Sequence, residues 1–505
     1  MAGAVVPSPN FAPALPRAGA EVVDKGLRKG AIGFISSVVI GVASTAPGYS
    51  LAATLGLIVT AVGFQSPAVL WVAFIPMLCI ASAYLYMNRT DPDCGTTFAW
   101  VSKAMGPWAG WLGGWAIVVS DIIVMANLAQ IAGLYSFTLF GWDAAAASTV
   151  AVTAVGVLWI VVMTAITVIG IELSARTQWY LLGAEVFTLA LFAIVALVRV
   201  YTGHALAGAT HPSLSWFSPF AIDGGTAALT AGVLLAVFIY WGWDSAVSAN
   251  EETEDPTEAP GKSAIVSTIM LVGIYLLVAT AAVAFAGTKP LDGQDDALSI
   301  LGNDVLGGTF GKLIIVAVLT SAAASTQTTI LPTARTVLSM ARAGALPEKL
   351  GAVHPRYMTP HVATVLFGAV SIVWYVGMTI VSQNILYDSI AALGLMIAFY
   401  YGMTGFACAL YYRREGRRSL KGLLFAVIAP ALGGVILTWV LVKSVIDLSK
   451  PANSESGDSW FGLGPPLVIG VGFMVLGAVL MVCWSRGHRR FFEQRIEVFE
   501  AAAEA

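Results

Sequence analysis

Apolar residues run through this chain in blocks of roughly twenty or more, each closed by a short polar loop. The blocks fall at 31–61, 67–89, 107–138, 147–171, 176–201, 226–250, 262–287, 309–341, 360–382, 385–412, 421–446 and 462–485. About 20 apolar residues in a helix cover the roughly 30 Å hydrocarbon core of a bilayer. The pattern predicts an all-α polytopic membrane protein with about twelve transmembrane helices.

Two blocks interrupt their own pattern. The sixth starts as a purely apolar helix, reaches Tyr240-Trp241-Gly242-Trp243 about halfway across, and there meets an acid, Asp244. From Ser245 it continues in smaller, more polar residues to Glu251-Glu252, before an acidic loop closed by Pro256, Pro260 and Gly261. In hydrocarbon every backbone amide needs a partner, so a glycine among bulky aromatics followed by a charge belongs where the segment faces protein or a wet cavity. The first block is longer than one crossing needs and carries Ser44, Thr45, Ala46, Pro47 and Gly48 near its middle. Proline removes a donor and clashes with the preceding turn, so the helix is expected to unwind there. Pro47 alone would read as a simple kink. The two breaks lie five blocks apart, an odd number, so the second half enters the membrane inverted, and interrupted segments at matching positions of inverted halves point to a transporter's central site.

Composition agrees with the pattern and removes other classes. Of 505 residues 58% are hydrophobic and 11% charged, with a mean hydropathy of +0.81. The net charge of -3 is confined to short loops, and no basic patch suggests nucleic acid. With the N-terminus inside, only Arg199, Lys289, Lys312, Lys443 and Lys450 of the 26 basic residues fall outside, which predicts cytoplasmic termini in a plasma membrane. Cys79, Cys94, Cys408 and Cys483 show no paired spacing, and the histidines are scattered, so neither a disulfide framework nor a metal site nor a cofactor is expected. Residues 1–24, rich in Pro and Ala, read as a disordered tail, and 486–505 as a charged surface helix.

Three loop and break motifs then add a resemblance. Pro92, Gly95, Thr96, Phe98 and Trp100 resemble a P-x-x-G-G-x-Y-x-W element. The sixth-block sequence GWDSAVSANEE resembles a G-F-D followed by an acidic pair, and Arg335 with MARAGALP resembles R-x-x-x-x-M-A-R-D-G-x-L-P. All three, in this order, mark the amino acid, polyamine and organocation transporter superfamily. The resemblance implies an amino acid permease built from two inverted five-helix repeats, at 25–201 and 202–412. Two more helices follow at 413–485, and one bundle rocks against the other. The chain departs from the pattern with Ser-Thr-Ala-Pro at the first break, Thr96 for the second glycine, and Trp243 for Phe.

The candidate chemistry follows from half-helices that end at the midplane, whose amides suit a carboxylate and whose carbonyls suit an ammonium or a sodium ion. The substrate carboxylate is placed on the amides around Ser44, Thr45 and Ala46, with Pro47 and Gly48 completing the break. Its amino group is placed near the carbonyls from Phe238 to Trp241, and Tyr240, Trp241, Gly242 and Thr329 shape the pocket. Asp121 lies mid-span on a face with Met125, where the resemblance implies a pocket lining. It would pair with a cationic substrate, carry a proton, or bond a neighbouring helix. Glu185 stands where the resemblance implies a lysine in proton-coupled relatives; desolvation of a carboxyl suits a proton carrier, and the same group would also suit a cation site or a structural bond to the first block. Ser325 and Thr326, with Thr328 and Thr329, offer hydroxyls to sodium or back-bond within their helix. Asp244 is read as the cap of the second half-helix. Arg89, Arg176 and Arg335 are candidate partners of the acidic loop when an inner gate closes.

The reading is a secondary active transporter importing an amino acid or related amine by alternating access, driven by protons, with sodium as the other coupling ion. The alternatives are a polyamine or cationic amino acid exchanger and a non-transporting receptor. No nucleophile, phosphate-loop or metal motif supports an enzyme.

Overall fold

The computed structural model describes residues 24–294, 296–381, 383–454, 456–494 and 496. Among them it is helical, with two isolated bridges and no strand. Apart from Asp24, the tail expected at 1–24 lies outside the described residues.

The first interrupted segment is α1 (Phe34–Ser44) and α2 (Pro47–Val62), followed by α3 (Ser66–Thr90), α4 (Thr97–Met105), α5 (Pro107–Phe140), α6 (Thr149–Ile169) and α7 (Ile171–Tyr201). The second is α8 (Gly225–Ile239) and α9 (Ser245–Ser248). After it come α10 (Ala259–Ala286), α11 (Ala297–Leu306), α12 (Lys312–Arg342), α13 (His361–Val381), α14 (Gln383–Tyr411), α15 (Ala429–Leu448), α16 (Pro465–Gly487) and α17 (Arg489–Phe492). Proline stands in the first turn of α2, α3, α5, α10, α15 and α16, where its missing N–H costs nothing and its fixed φ suits a helix start.

Ten stretches of the described residues are long and apolar enough to cross a membrane. One of them, Phe34–Thr90, is 57 residues long and holds α1 to α3, whereas α8 has 15 residues. A count of twelve therefore requires that stretch to cross twice and α8 to cross together with α9. The crossing windows of α5 and α12 are 78% and 72% buried, against 28% for α6, α13 and α16, so the first two form the centre and the others the apolar rim that lipid covers. α12 packs along α5 and α7 and touches α1.

The second half of the sixth segment is shorter than its sequence suggests. Helix resumes for one turn, Ser245–Ser248, and gives way to a tighter turn at Asn250–Glu252. The polar groups there are claimed by other parts of the chain. Asn250 Nδ2 donates to Asn88 Oδ1 and Asp93 O at 2.8 and 3.1 Å, and the Glu252 carbonyl accepts the amides of Ala31 and Ile32 at 2.7 and 3.2 Å. The C-terminal segment is also more than a surface helix. Phe491 and Phe492 are buried, against Phe98 and Trp108 respectively.

Candidate functional site

The two breaks meet at the centre of the bundle. Ala46 has φ 47 and ψ 60, a left-handed conformation that costs an L-residue on the order of 1–2 kcal/mol. Pro47 keeps Ala46 out of the right-handed helix, and the packing of the break selects the left-handed conformation over the extended one a proline favours. In the second break Gly242 has φ 118, and a Cβ there would lie 2.7 Å from the Ser44 carbonyl oxygen. Glycine thus lets the backbones touch. Ser44 and Ser245 share a hydroxyl bond of 2.7 Å, and Ser325 of α12 donates to the Ser44 carbonyl at 2.9 Å.

The amides of Thr45 and Ala46, expected to hold a carboxylate, turn back to the carbonyls of Val42 and Ala43 at 3.2 and 3.1 Å. Since Pro47 has no N–H, the amides that lead α2 are those of Gly48 and Tyr49. Gly48 N donates to Glu185 Oε1 at 2.7 Å, and Tyr49 N donates to Ser321 Oγ at 3.1 Å. The helix start that suits an anion therefore holds the chain's own carboxylate. Glu185 is fully buried, and its Oε2 has no hydrogen-bond partner among the described residues.

Asp244 sits at the position before α9 but makes no capping bond. Its carboxylate instead accepts from Tyr401 at 2.8 Å, Tyr400 at 3.2 Å and Tyr84 at 3.4 Å. The cap expected there is replaced because three phenols converge on one acid. The Trp241 indole donates to the Tyr400 hydroxyl, and Tyr240 donates to Leu70 O at 3.0 Å. The carbonyls of Val237 and Phe238 accept the amides of Tyr240 and Trp241, and the Ile239 carbonyl accepts from Tyr275 at 2.5 Å.

Asp121 is buried and accepts from the Thr333 hydroxyl of α12. Its charge acts on that of Asp244. Met125 packs in a separate apolar cluster with Ile122, Ala323 and Ile330, away from the breaks. Thr326 back-bonds to Ala322 O at 2.7 Å and Thr328 to Ala324 O at 3.2 Å, while Thr329 is buried on the same helix. Of that hydroxyl patch, Ser325 is the member that reaches the first break. Tyr84, Tyr400, Tyr401 and Ser321 were not foreseen. The adjacent tyrosines of α14 were the available signal.

The family profile described as amino acid permease matches residues 29–473. The chain belongs to the amino acid permease family. An uncharacterized transporter of Mycobacterium tuberculosis is 28% identical over 67% of this chain and 72% of its own. The branched-chain amino acid permease of Lactococcus lactis is 24% identical over 73% and 80%. The low-affinity putrescine importer of Escherichia coli is 21% identical over 90% and 93%. The permease is thus a polytopic helical transporter of amino acids or amines and not an enzyme.

The family's three motifs gather at one end of this permease, the charged end. Lys25 Nζ is buried between Asp93 Oδ2 at 2.8 Å and Glu251 Oε1 at 2.5 Å, with Cys94 Sγ 3.6 Å away. Asp93, Cys94 and Glu251 form a donor set of the kind that binds metals, and the Lys25 ammonium supplies its cation. Asp93 also accepts from Ser339 at 2.6 Å and Gly95 N at 2.7 Å. Arg335 pairs with Glu252 through Nε at 2.6 Å and through Nη2, and Lys103 pairs with Asp91 at 2.6 Å. Arg89 pairs with Glu258 at 2.8 Å, so two of the three arginines expected to meet the acidic loop do so; Arg176 joins none of these pairs. Burial alone would raise the Asp93 pKa, but Lys25 and the bonds from Ser339 and Gly95 hold it below the ordinary value. Burial likewise opposes the Lys25 charge, yet Asp93, Cys94 and Glu251 carry its pKa well above that of a free lysine.

Proposed function

We propose that this permease imports an amino acid or related amine together with protons across the plasma membrane. In this reading it makes twelve crossings, in repeats at 25–201 and 202–412 with two further helices at 413–485, both termini are cytoplasmic, and the charged end is the closed inner gate. The observation that carries it is the Glu185 carboxylate at the Gly48 amide, where the first break opens into α2. A neutral carboxyl is a weaker acceptor than a carboxylate. Protonation of Glu185 therefore loosens its hold on Gly48 and frees the break to move. It also frees the amide of Gly48 for a substrate carboxylate. We assign the pocket lining to Ser44 to Gly48, Phe238, Tyr240 to Gly242 and Thr329; Asp121, held by Thr333 about 18 Å along α12 from the Ser321 that meets Tyr49, lies too far to pair with the amine of an amino acid held there. Protons are favoured over sodium because the buried acid at the break, Glu185, rests on a neutral amide that tolerates its protonation.

A cationic substrate is the second reading. Asp121 and Asp244 are both buried, act on each other, and are held by neutral hydroxyls.

The test is uptake of labelled isoleucine, arginine and putrescine into proteoliposomes under an inward proton gradient, and separately under a sodium gradient. Accumulation driven by protons in the wild type, and lost in Glu185→Gln, is the expected result. Accumulation driven by sodium, or full proton coupling in Glu185→Gln, would refute the coupling role. No accumulation of any compound by folded protein would favour a receptor.

A further inference from the structure

Glu185 is not the only buried polar group on its helix face that lacks a partner. Among the described residues, Ser174 Oγ, Gln178 Oε1 and Glu185 Oε2 of α7 and Gln327 Nε2 of the facing α12 all lack hydrogen-bond partners, and all four residues are fully buried. At about 100° per residue, positions 174, 178 and 185 fall within about 40° on the helical wheel, in a stripe about 16 Å long. α12 runs antiparallel beside it at a matching depth. Ser321 lies next to Gly48 and hence Glu185, and Gln178 Nε2 donates to Ala324 O at 3.1 Å and Gln327 Oε1 at 2.5 Å. Between the two levels, Ser325 brings a hydroxyl to Ser44 O.

A buried donor or acceptor left unpaired costs about 1–3 kcal/mol, and several along one line in hydrocarbon are sustained by water, which needs two to four polar partners. We propose that α7 and α12 hold a thread of water from Glu185 to the charged end, with Gln178, Gln327 and Ser174 as its positioning residues. This rests on the reading of Glu185 as the proton carrier and gives that proton its route. The proton leaves the Glu185 carboxyl for the nearest water, and another leaves the far water for the aqueous phase, so charge and atoms balance with no further reactant. Tyr275 of α10, whose hydroxyl donates to the Ile239 carbonyl at 2.5 Å, is a titratable side chain that interacts electrostatically with Glu185. α2 and α12 face it with the Gly48 amide and Ser321, and no Lys or Arg among the described residues acts on it. At the mouth of the thread stand Arg176 and the Arg28–Glu172 pair at 3.0 Å.

Hydrogen–deuterium exchange of the Glu185 carboxyl, followed by infrared spectroscopy of the purified permease after transfer to D2O, tests this without any substrate. The Glu185 carbonyl band is identified by its loss in Glu185→Gln. Gln178→Met and Gln327→Met keep side-chain length, and Ser174→Ala is a milder variant. Each is expected to slow exchange of that band by about tenfold or more, as loss of one hydrogen bond in the route requires. Exchange at the wild-type rate in all three folded variants would overturn the thread while leaving Glu185 as the carrier. If no Glu185 carboxyl band appears between about pH 5 and 9, across which a carrier must titrate, both the carrier and the thread are refuted.

Discussion

Lys25→Met would open the charged end. Methionine keeps much of the lysine stem but leaves Asp93 and Glu251, now at 2.8 and 2.5 Å from the ammonium, buried without their cation. Removing one partner of a buried ion pair costs about 3–5 kcal/mol. The cost falls on the closed arrangement, because in an open one both carboxylates reach water. At about 1.4 kcal/mol per factor of ten, the closed state loses at least about a hundredfold against the open one. The permease carries its own reporter in Cys94, which is buried beside Lys25 and whose thiol pKa is pushed up by burial and by Glu251. With Cys79, Cys408 and Cys483 replaced by serine, the rate of Cys94 labelling by an impermeant maleimide on inside-out vesicles should rise about a hundredfold in Lys25→Met. Equal rates in the two proteins, both folded, would refute the assignment of Lys25 as the latch.

The latch should also be indifferent to pH over the working range. The Asp93 pKa is depressed, so its contribution is complete above the ordinary aspartate value of 3.8 and is lost as pH falls through its lower folded value. The Lys25 pKa is raised, so its contribution is complete below 10.5 and is lost only above that. Wild-type labelling relative to a free thiol control should therefore stay flat between those limits, and a pH dependence of transport there belongs to other groups.

Gly242→Ala should lower thermal stability by about 2 kcal/mol or more and abolish uptake, since it adds backbone strain at φ 118 to a 2.7 Å overlap with Ser44. A wild-type melting temperature with wild-type uptake would show that the breaks do not touch. Asp121→Asn keeps an acceptor for Thr333 but loses the charge, so uptake should vanish while melting is unchanged; full uptake would remove Asp121 from the mechanism. Tyr401→Phe removes the 2.8 Å bond to a buried carboxylate and should cost about 1–3 kcal/mol, read by thermal melting, which would be unchanged if the bond contributes nothing.

The helical architecture and both breaks were legible because length, proline and glycine are local signals. Ala46 and Gly242 take left-handed backbone where Pro47 and the aromatic run suggested interruption. What was not legible is which partner each interior acid finds. Asp244 precedes α9 and looks like a cap, yet the phenols that hold it are about 160 residues away on α3 and α14. A bond from Glu185 to the first block was one of its readings, yet nothing local named the Gly48 amide, 137 positions away, as the partner. Periodicity places a residue on a helix face, but only packing decides which helix that face meets. The acidic loop illustrates the opposite case. Arginines were expected to meet it, and Glu252 is fully buried against Arg335, where the chain before α1 lies over it and takes its carbonyl.

The acids of this permease divide into two kinds by what holds them. At the charged end Asp91, Asp93, Glu251 and Glu252 each meet a lysine or arginine. Asp93 and Glu251 share Lys25, while Asp91 and Glu252 hold Lys103 and Arg335, and neutralising every acid around one of these cations would strand it in the interior, so the groups separate most readily as units, by exposure to water. In the bundle interior Glu185 rests on a backbone amide, Asp121 on a threonine hydroxyl and Asp244 on three phenols. Neutral donors lose only a hydrogen bond when the acid takes a proton, and a carboxyl without charge is far cheaper to keep in hydrocarbon. Chemistry that requires a charge to come and go therefore suits the interior acids, and in the proposed cycle the charged end is the gate they act upon. Glu185 sits where the two meet, because the amide it holds begins α2 and the break before α2 contacts α9, whose end leads directly into Glu251 and Glu252.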